Sequence, residues 1–104
     1  MIARMWHGMT PAEKSDHYLE FLKRTAIPDY SSVKGNKGVL LLRRQVGDNA
    51  HFVTFTLWES FEAVKSFAGD DINKAKYYPE DQDFLLEFEP TVTHYEVFGT
   101  FDLG

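Results

Sequence analysis

The segment His51 to Trp58 constrains this chain more than any other. Read as an extended strand, it places Val53, Phe55 and Leu57 on one face and Phe52, Thr54, Thr56 and Trp58 on the other. Both faces carry bulk. A strand that is apolar on both sides must be covered on both sides, so the fold has to supply a layer on each face of the sheet. Just before it, Val39 to Val46 is rich in β-branched residues and leucine, and Gly47-Asp48-Asn49 joins the two runs as a hairpin turn.

The remaining pattern supplies the partners. Ile2 to Gly8 reads as a short apolar strand. Thr10-Pro11-Ala12-Glu13 predicts a helix start, with Thr at the N-cap, Pro at the first helical position and Glu at the third. Tyr18, Leu19, Phe21, Leu22 and Thr25 follow at helical spacing, and Pro28 is expected to end the helix, leaving 28–38 as a loop. Glu59-Ser60 opens a second helix carrying Phe61, Val64, Phe67 and Ala68. Gly69-Asp70-Asp71 breaks it, Asp71 is positioned to cap a further short helix through Tyr78, and Thr91 to Phe101 reads as the last strand.

The order is β-α-β-β-α-β, the split or ferredoxin-like plan of the α+β class. It predicts one four-stranded antiparallel sheet in the order 4-1-3-2, with both helices on one face. The other face has no cover within the chain. A second copy would supply it, so the expectation is a homodimer whose two sheets close into a barrel. With no repeat or linker, residues 1–104 read as a single domain.

Composition narrows the function. Nine Phe, five Tyr and two Trp make 15% of the chain aromatic, more than a small core readily holds, so some should line a pocket or an interface. The net charge of −5 argues against nucleic acid as a partner. No apolar run is long enough to span a membrane, and the start of the chain lacks the pattern of a signal peptide. Without cysteine there is no disulfide framework or thiolate site. Together these predict a cytoplasmic protein.

Of the four histidines, none forms a closely spaced ligand pair, and His17 beside Asp16 reads as solvated. The expected topology brings His7, His51 and His94 towards one edge of the sheet. There they would bind a divalent metal or relay protons, or else face different sides and make ordinary hydrogen bonds. Trp6 and Trp58 either stack on a flat ligand or pack in the core or interface. Tyr77 and Tyr78 point in different directions, so either one of them brings a hydroxyl into a pocket or one ring is buried and the other lies at the surface. Arg43 and Arg44 face opposite sides of their strand, one towards solvent or a carboxylate across the dimer, the other pairing with Glu or Asp or anchoring an anionic substrate.

Leu57-Trp58-Glu59-Ser60, Phe67-Ala68-Gly69-Asp70, Ala75-Lys76-Tyr77-Tyr78-Pro79-Glu80-Asp81 and Val92-Thr93-His94-Tyr95-Glu96-Val97 together resemble the antibiotic biosynthesis monooxygenase family of the dimeric α/β-barrel superfamily. The resemblance covers nearly the whole chain. Members of that family oxidise aromatic polyketides with O₂ and no metal or flavin, degrade haem, or only bind. In the haem-degrading members an Asn on the first strand and a Trp and a His of the second helical region serve the site. His7, Phe67 and Tyr77 stand at those positions here. The resemblance implies a cofactor-independent monooxygenase with no metal, acting on a small aromatic or quinol-type molecule. On residue chemistry His7 is the expected base, Tyr77 or Tyr78 the hydroxyl partner, and Trp6, Trp58, Phe67 and His94 the walls. The alternatives are a non-catalytic dimeric binding or stress-response module and, third, a haem-binding or haem-degrading protein.

Overall fold

A computed structural model describes residues 1–101. Its elements are β1 (Ile2–Pro11), α1 (Ser15–Arg24), α2 (Ala26–Ser31), β2 (Asn36–Val46), β3 (Asn49–Trp58), α3 (Phe61–Ala68) and β4 (Thr93–Glu96). The four strands form one antiparallel sheet in the order β2-β3-β1-β4. This is the expected α+β, ferredoxin-like arrangement. Among the described residues no helix is long and apolar enough to cross a membrane.

The register sorts the side chains. Trp6 lies opposite Thr54, Gly8 opposite Phe52 and Ile2 opposite Trp58, so these share one face. On that face α1 contributes Tyr18, Phe21 and Leu22, α2 contributes Tyr30, and α3 contributes Val64 and Phe67 to a continuous core. Trp6 folds its ring across Gly8, where a Cβ would sit 2.3 Å from the indole, so glycine is needed at that position. The opposite face carries Met5, His7, Val53, Phe55, Leu40, Leu42 and Arg44. No helix covers it. Leu40 is 56% exposed, Leu42 47%, Val46 46% and Tyr95 54%, all on this face. Val53, Phe55 and Leu57 are only half-buried. The chain thus covers one of the two apolar faces of β3 and leaves the other open.

Local boundaries differ from the pattern at four places. β1 runs on to Pro11, a 3-10 turn spans Ala12–Lys14, and α1 starts at Ser15. Thr10 is fully buried on the strand and its hydroxyl donates to the Pro11 carbonyl, so it caps no helix. Pro28 does not end a helix. The break comes earlier, at Thr25, and Pro28 falls in the first turn of α2, where its missing N–H has no intrahelical acceptor to lose. Asp71 starts no helix through Tyr78. Its carboxylate only accepts from the Asn73 amide, and Lys74 makes an isolated bridge to Thr91. The last strand shrinks to Thr93–Glu96, which pairs with Ile2 to Met5, while the segment before it meets the β1 edge further along, at Met9. At α3 the expectation holds: the Ser60 side chain accepts from the Ala63 amide as an N-cap.

Truncating a fully buried aromatic should show how strongly this one-sided core holds. Phe52→Ala should cost about 3–5 kcal/mol, read as a lower urea midpoint. Glu20→Ala, on the exposed side of α1, should stay within about 0.5 kcal/mol of the parent.

Candidate functional site

The layer between sheet and helices is nearly solid. The space bounded by Trp6, Tyr18, Tyr30, Thr54, Tyr78 and Asp81 measures about 10 Å³, the room of a single water. Polar ties close it. The Tyr18 hydroxyl donates to Asp81 Oδ1 at 3.0 Å, and the Tyr78 amide donates to Asp81 Oδ2 at 2.6 Å. The Tyr78 hydroxyl donates to Asp29 Oδ2 at 2.5 Å, and Lys76 Nζ donates to the same oxygen at 3.0 Å. Burial drives both phenols, Tyr18 and Tyr78, far above their ordinary range. It also raises the Asp81 carboxyl, against the opposing pull of its two donors. Burial pushes Asp29 up as well, but the donors Tyr78 and Lys76 outweigh it and hold that carboxylate below its ordinary range.

These contacts place most of the expected site residues. Tyr78 is bound to Asp29. The Tyr77 hydroxyl donates to the Glu89 carbonyl at 2.6 Å, and its ring stands edge-on to Trp6 and Phe88. Neither hydroxyl faces an open cavity between sheet and helices. Trp58 is fully buried, with Nε1 donating to Thr56 Oγ1 at 2.8 Å, and it packs on Phe67 and Tyr30. Phe67 lies against Tyr30 and Trp58, with Lys76 Nζ 4.6 Å from its ring centre. Its outer side helps line an open surface groove of about 630 Å³ with Lys76 and Tyr77. His94 pairs across from Arg4 on the helix side and packs edge-on to Phe61. Burial and the Arg4 guanidinium lower its pKa, so His94 is neutral at pH 7.

The three-histidine convergence therefore fails at His94, which sits on the other side of the sheet. Among the described residues no group of three or more His, Cys, Asp or Glu side chains is arranged to hold a metal ion. His7 and His51 do meet. His7 pairs with Val53, and His51 lies one step further along β3 on the same face. His7 Nε2 is 2.9 Å from His51 Nδ1, and the two rings are stacked 5.2 Å apart. On its other side His7 Nδ1 is hydrogen-bonded to the Glu89 carboxylate.

Glu89 reaches this position because β4 covers only the first half of β1. The segment before β4 covers more of that edge, with the Leu86 amide donating to the Met9 carbonyl. The result is a row, Glu89–His7–His51, on the open face. Proton accounting orients it. The carboxylate accepts from His7 Nδ1–H, His7 Nε2 accepts from His51 Nδ1–H, and His51 Nε2 is left as the basic end. Two depressions flank His7. One, of about 370 Å³, is lined by His7, Leu42, Arg43, Arg44, His51 and Val53. The other, of about 150 Å³, includes Met5, Glu89, Thr91 and Tyr95 in its lining.

The sheet and its helices define the fold of the antibiotic biosynthesis monooxygenase proteins. A candidate antibiotic biosynthesis monooxygenase from Nitrosomonas europaea superposes with a TM-score of 0.68 at 14% identity, over 95% of this chain and 100% of that one. One from Bacillus cereus gives 0.63 at 19% identity, over 95% and 94% of the two chains. The haem degrader MhuD of Mycobacterium tuberculosis, with two haems in its active site, gives 0.64 at 20% identity over 100% of each chain. No family model matches the chain, and no curated protein matches its sequence.

Sequence reasoning missed Glu89 and the two fasteners, half-buried Asp29 and buried Asp81. Glu89 is 82 positions from His7, and nothing local to it marks the pairing. Tyr78→Phe tests the fastener. It should cost about 1–2 kcal/mol at pH 7. Because Asp29 titrates lower in the folded state, its contribution is present above the ordinary carboxylate range and is lost as pH falls through the lowered value. The gap between parent and variant in urea unfolding should therefore narrow below about pH 4.

Proposed function

We propose that this chain is a monooxygenase-type oxidoreductase that acts on a small electron-rich phenol, with His7 and His51 as its base. The single observation that carries the reading is the row Glu89–His7–His51 opening into a depression large enough for an aromatic ring. The shared fold with monooxygenase proteins supports the reaction class. In the reaction the phenol O–H proton passes to the imidazole row and is stabilised there by Glu89. The phenolate gives one electron to O₂, and the resulting radical pair joins at a ring carbon. The peroxide takes the proton back. Loss of the ring C–H proton with cleavage of the O–O bond leaves a carbonyl and one water. Phenol and O₂ thus give quinone and water, and the organic substrate is the only reductant.

Two copies pair through the open faces in this reading. What supports it is the run of exposed apolar residues, Leu40, Leu42, Val46 and Tyr95, on a face that no helix covers among the described residues. A second sheet would also close both depressions and exclude water from the reacting phenolate.

Haem is the weaker ligand for this chain. The sheet–helix layer has no room for a macrocycle, and by the family resemblance Tyr77 takes the place of the haem degraders' iron-binding His.

Oxygen uptake with a panel of phenols and quinols tests the chemistry. His7→Ala should lower kcat by about 100-fold or more. Unchanged turnover would return the chain to the non-catalytic binding reading, and a Soret band on haem titration would favour the haem reading. Sedimentation should give twice the mass of one chain, and Leu40→Arg should yield the monomer with its far-UV spectrum unchanged.

A further inference from the structure

Every residue around the larger depression contributes either apolar surface, imidazole or guanidinium. Among the described residues no carboxylate lines it, although the chain as a whole carries a net charge of −5. The two arginines on β2 divide as the strand alternation requires. Arg43 turns to the helix side, where it donates to Asp16 Oδ1 at 2.7 Å and to Ser15 Oγ at 3.0 Å. Arg44 turns to the open face, directly across from His51 in the β2–β3 ladder. Among the described residues no carboxylate lies within ion-pair distance of Arg44. Leu42 and Val53 form the next cross-strand pair on the same face and give the depression an apolar floor. Side chains directly opposite in such a pair have Cβ atoms about 5 Å apart, so the guanidinium and the free end of the imidazole row flank one small volume.

We propose that the Arg44–His51 pair makes this depression a site for an aromatic acid: a phenol whose ring lies on Leu42 and Val53, whose hydroxyl meets His51 Nε2, and whose carboxylate is held by Arg44. Guanidinium suits this task because its fork matches a carboxylate bidentately, and an apolar floor with few competing donors strengthens the contact. A neutral phenol finds the same floor and the same base but leaves Arg44 without an anion. The inference rests on the base assignment made under the proposed function, and it names the substrate class for that site.

Binding and turnover separate the two ideas. The probes are 4-hydroxybenzoate and 4-hydroxybenzamide, which share ring and hydroxyl and differ in charge. Calorimetric titration of the parent protein should give at least tenfold tighter binding of the acid. Arg44→Gln should erase that preference by weakening the acid alone, and Arg44→Lys should restore part of it. His51→Gln should keep the preference while abolishing the phenolate absorbance that appears when the parent protein binds the acid, because the hydroxyl proton then has no imidazole to move to. Equal affinity for acid and amide, or a preference that survives Arg44→Gln, overturns the acid site. Tight acid binding with no oxygen uptake for any phenol supports the acid site and removes the oxidation reading. Oxidation of acid and amide at equal rates with equal affinities keeps the oxidation reading and removes the acid site. Arg44 is exposed in the single chain, so the variants should fold; near-UV circular dichroism checks this, and sedimentation checks that they assemble as the parent does.

Discussion

The pairing register of β1 against β3 is the constraint on which the rest of the structure depends. With Trp6 opposite Thr54 and His7 opposite Val53, the two strands send one set of side chains under the helices and the other to the open face. A slip of one residue would exchange the sets. Taken up by β1, it would push His7 and Met5 into the aromatic core and expose Trp6; taken up by β3, it would bury His51 and expose Phe52 and Trp58. The bulk of Phe52 and Trp58, both fully buried, opposes such a slip, and Gly8 locks it by accepting the Trp6 ring across its bare Cα. The same register that builds the core therefore brings the two imidazoles together on the far side of the sheet.

The helix side shows how a small protein can use up its aromatic residues. Tyr18, Phe21, Tyr30, Phe52, Trp58, Phe67 and Phe84 contact one another in edge-on, tilted or stacked pairs. The hydroxyls of Tyr18 and Tyr30 are matched to Asp81 and Thr54, and that of the neighbouring Tyr78 to Asp29. A buried carboxylate without donors would be costly. Here the donors are tyrosines from α1 and from the segment after α3, so Asp29 and Asp81 tie the irregular 71–92 stretch to the helices. That stretch then delivers Glu89 to the sheet edge. Packing on one side and the imidazole row on the other are linked through it.

Much of the fold is legible in the residues themselves. The two-sided strand at 51–58, the hairpin turn and the Ser60 cap all appear where their chemistry requires them. The failures have physical causes. Thr10-Pro11-Ala12-Glu13 has the composition of a capping box, but strand pairing with Asn49 and Ala50 carries β1 through Thr10 and Pro11 and moves the helix start to Ser15. Pro28 has the look of a stop, but a break at Thr25 places it in a first turn, where proline is harmless. The site was legible only in part. Topology suggested that His7, His51 and His94 converge, and alternation along β4 sends His94 to the opposite face. Tyr77 and Tyr78 presented two free hydroxyls in the sequence, and both found acceptors in the fold.

The sequence by itself determined that a βαββαβ sheet would form, that its helices would cover one face, and that a second apolar face would remain. Those outcomes follow from periodicity and turn chemistry, which act over a few residues. Only the tertiary structure decided which polar groups meet. The Glu89–His7 contact joins residues 82 positions apart, and Tyr18–Asp81 joins residues 63 apart. Such pairs depend on where an irregular segment crosses a sheet edge or a helix, and no local pattern encodes that crossing.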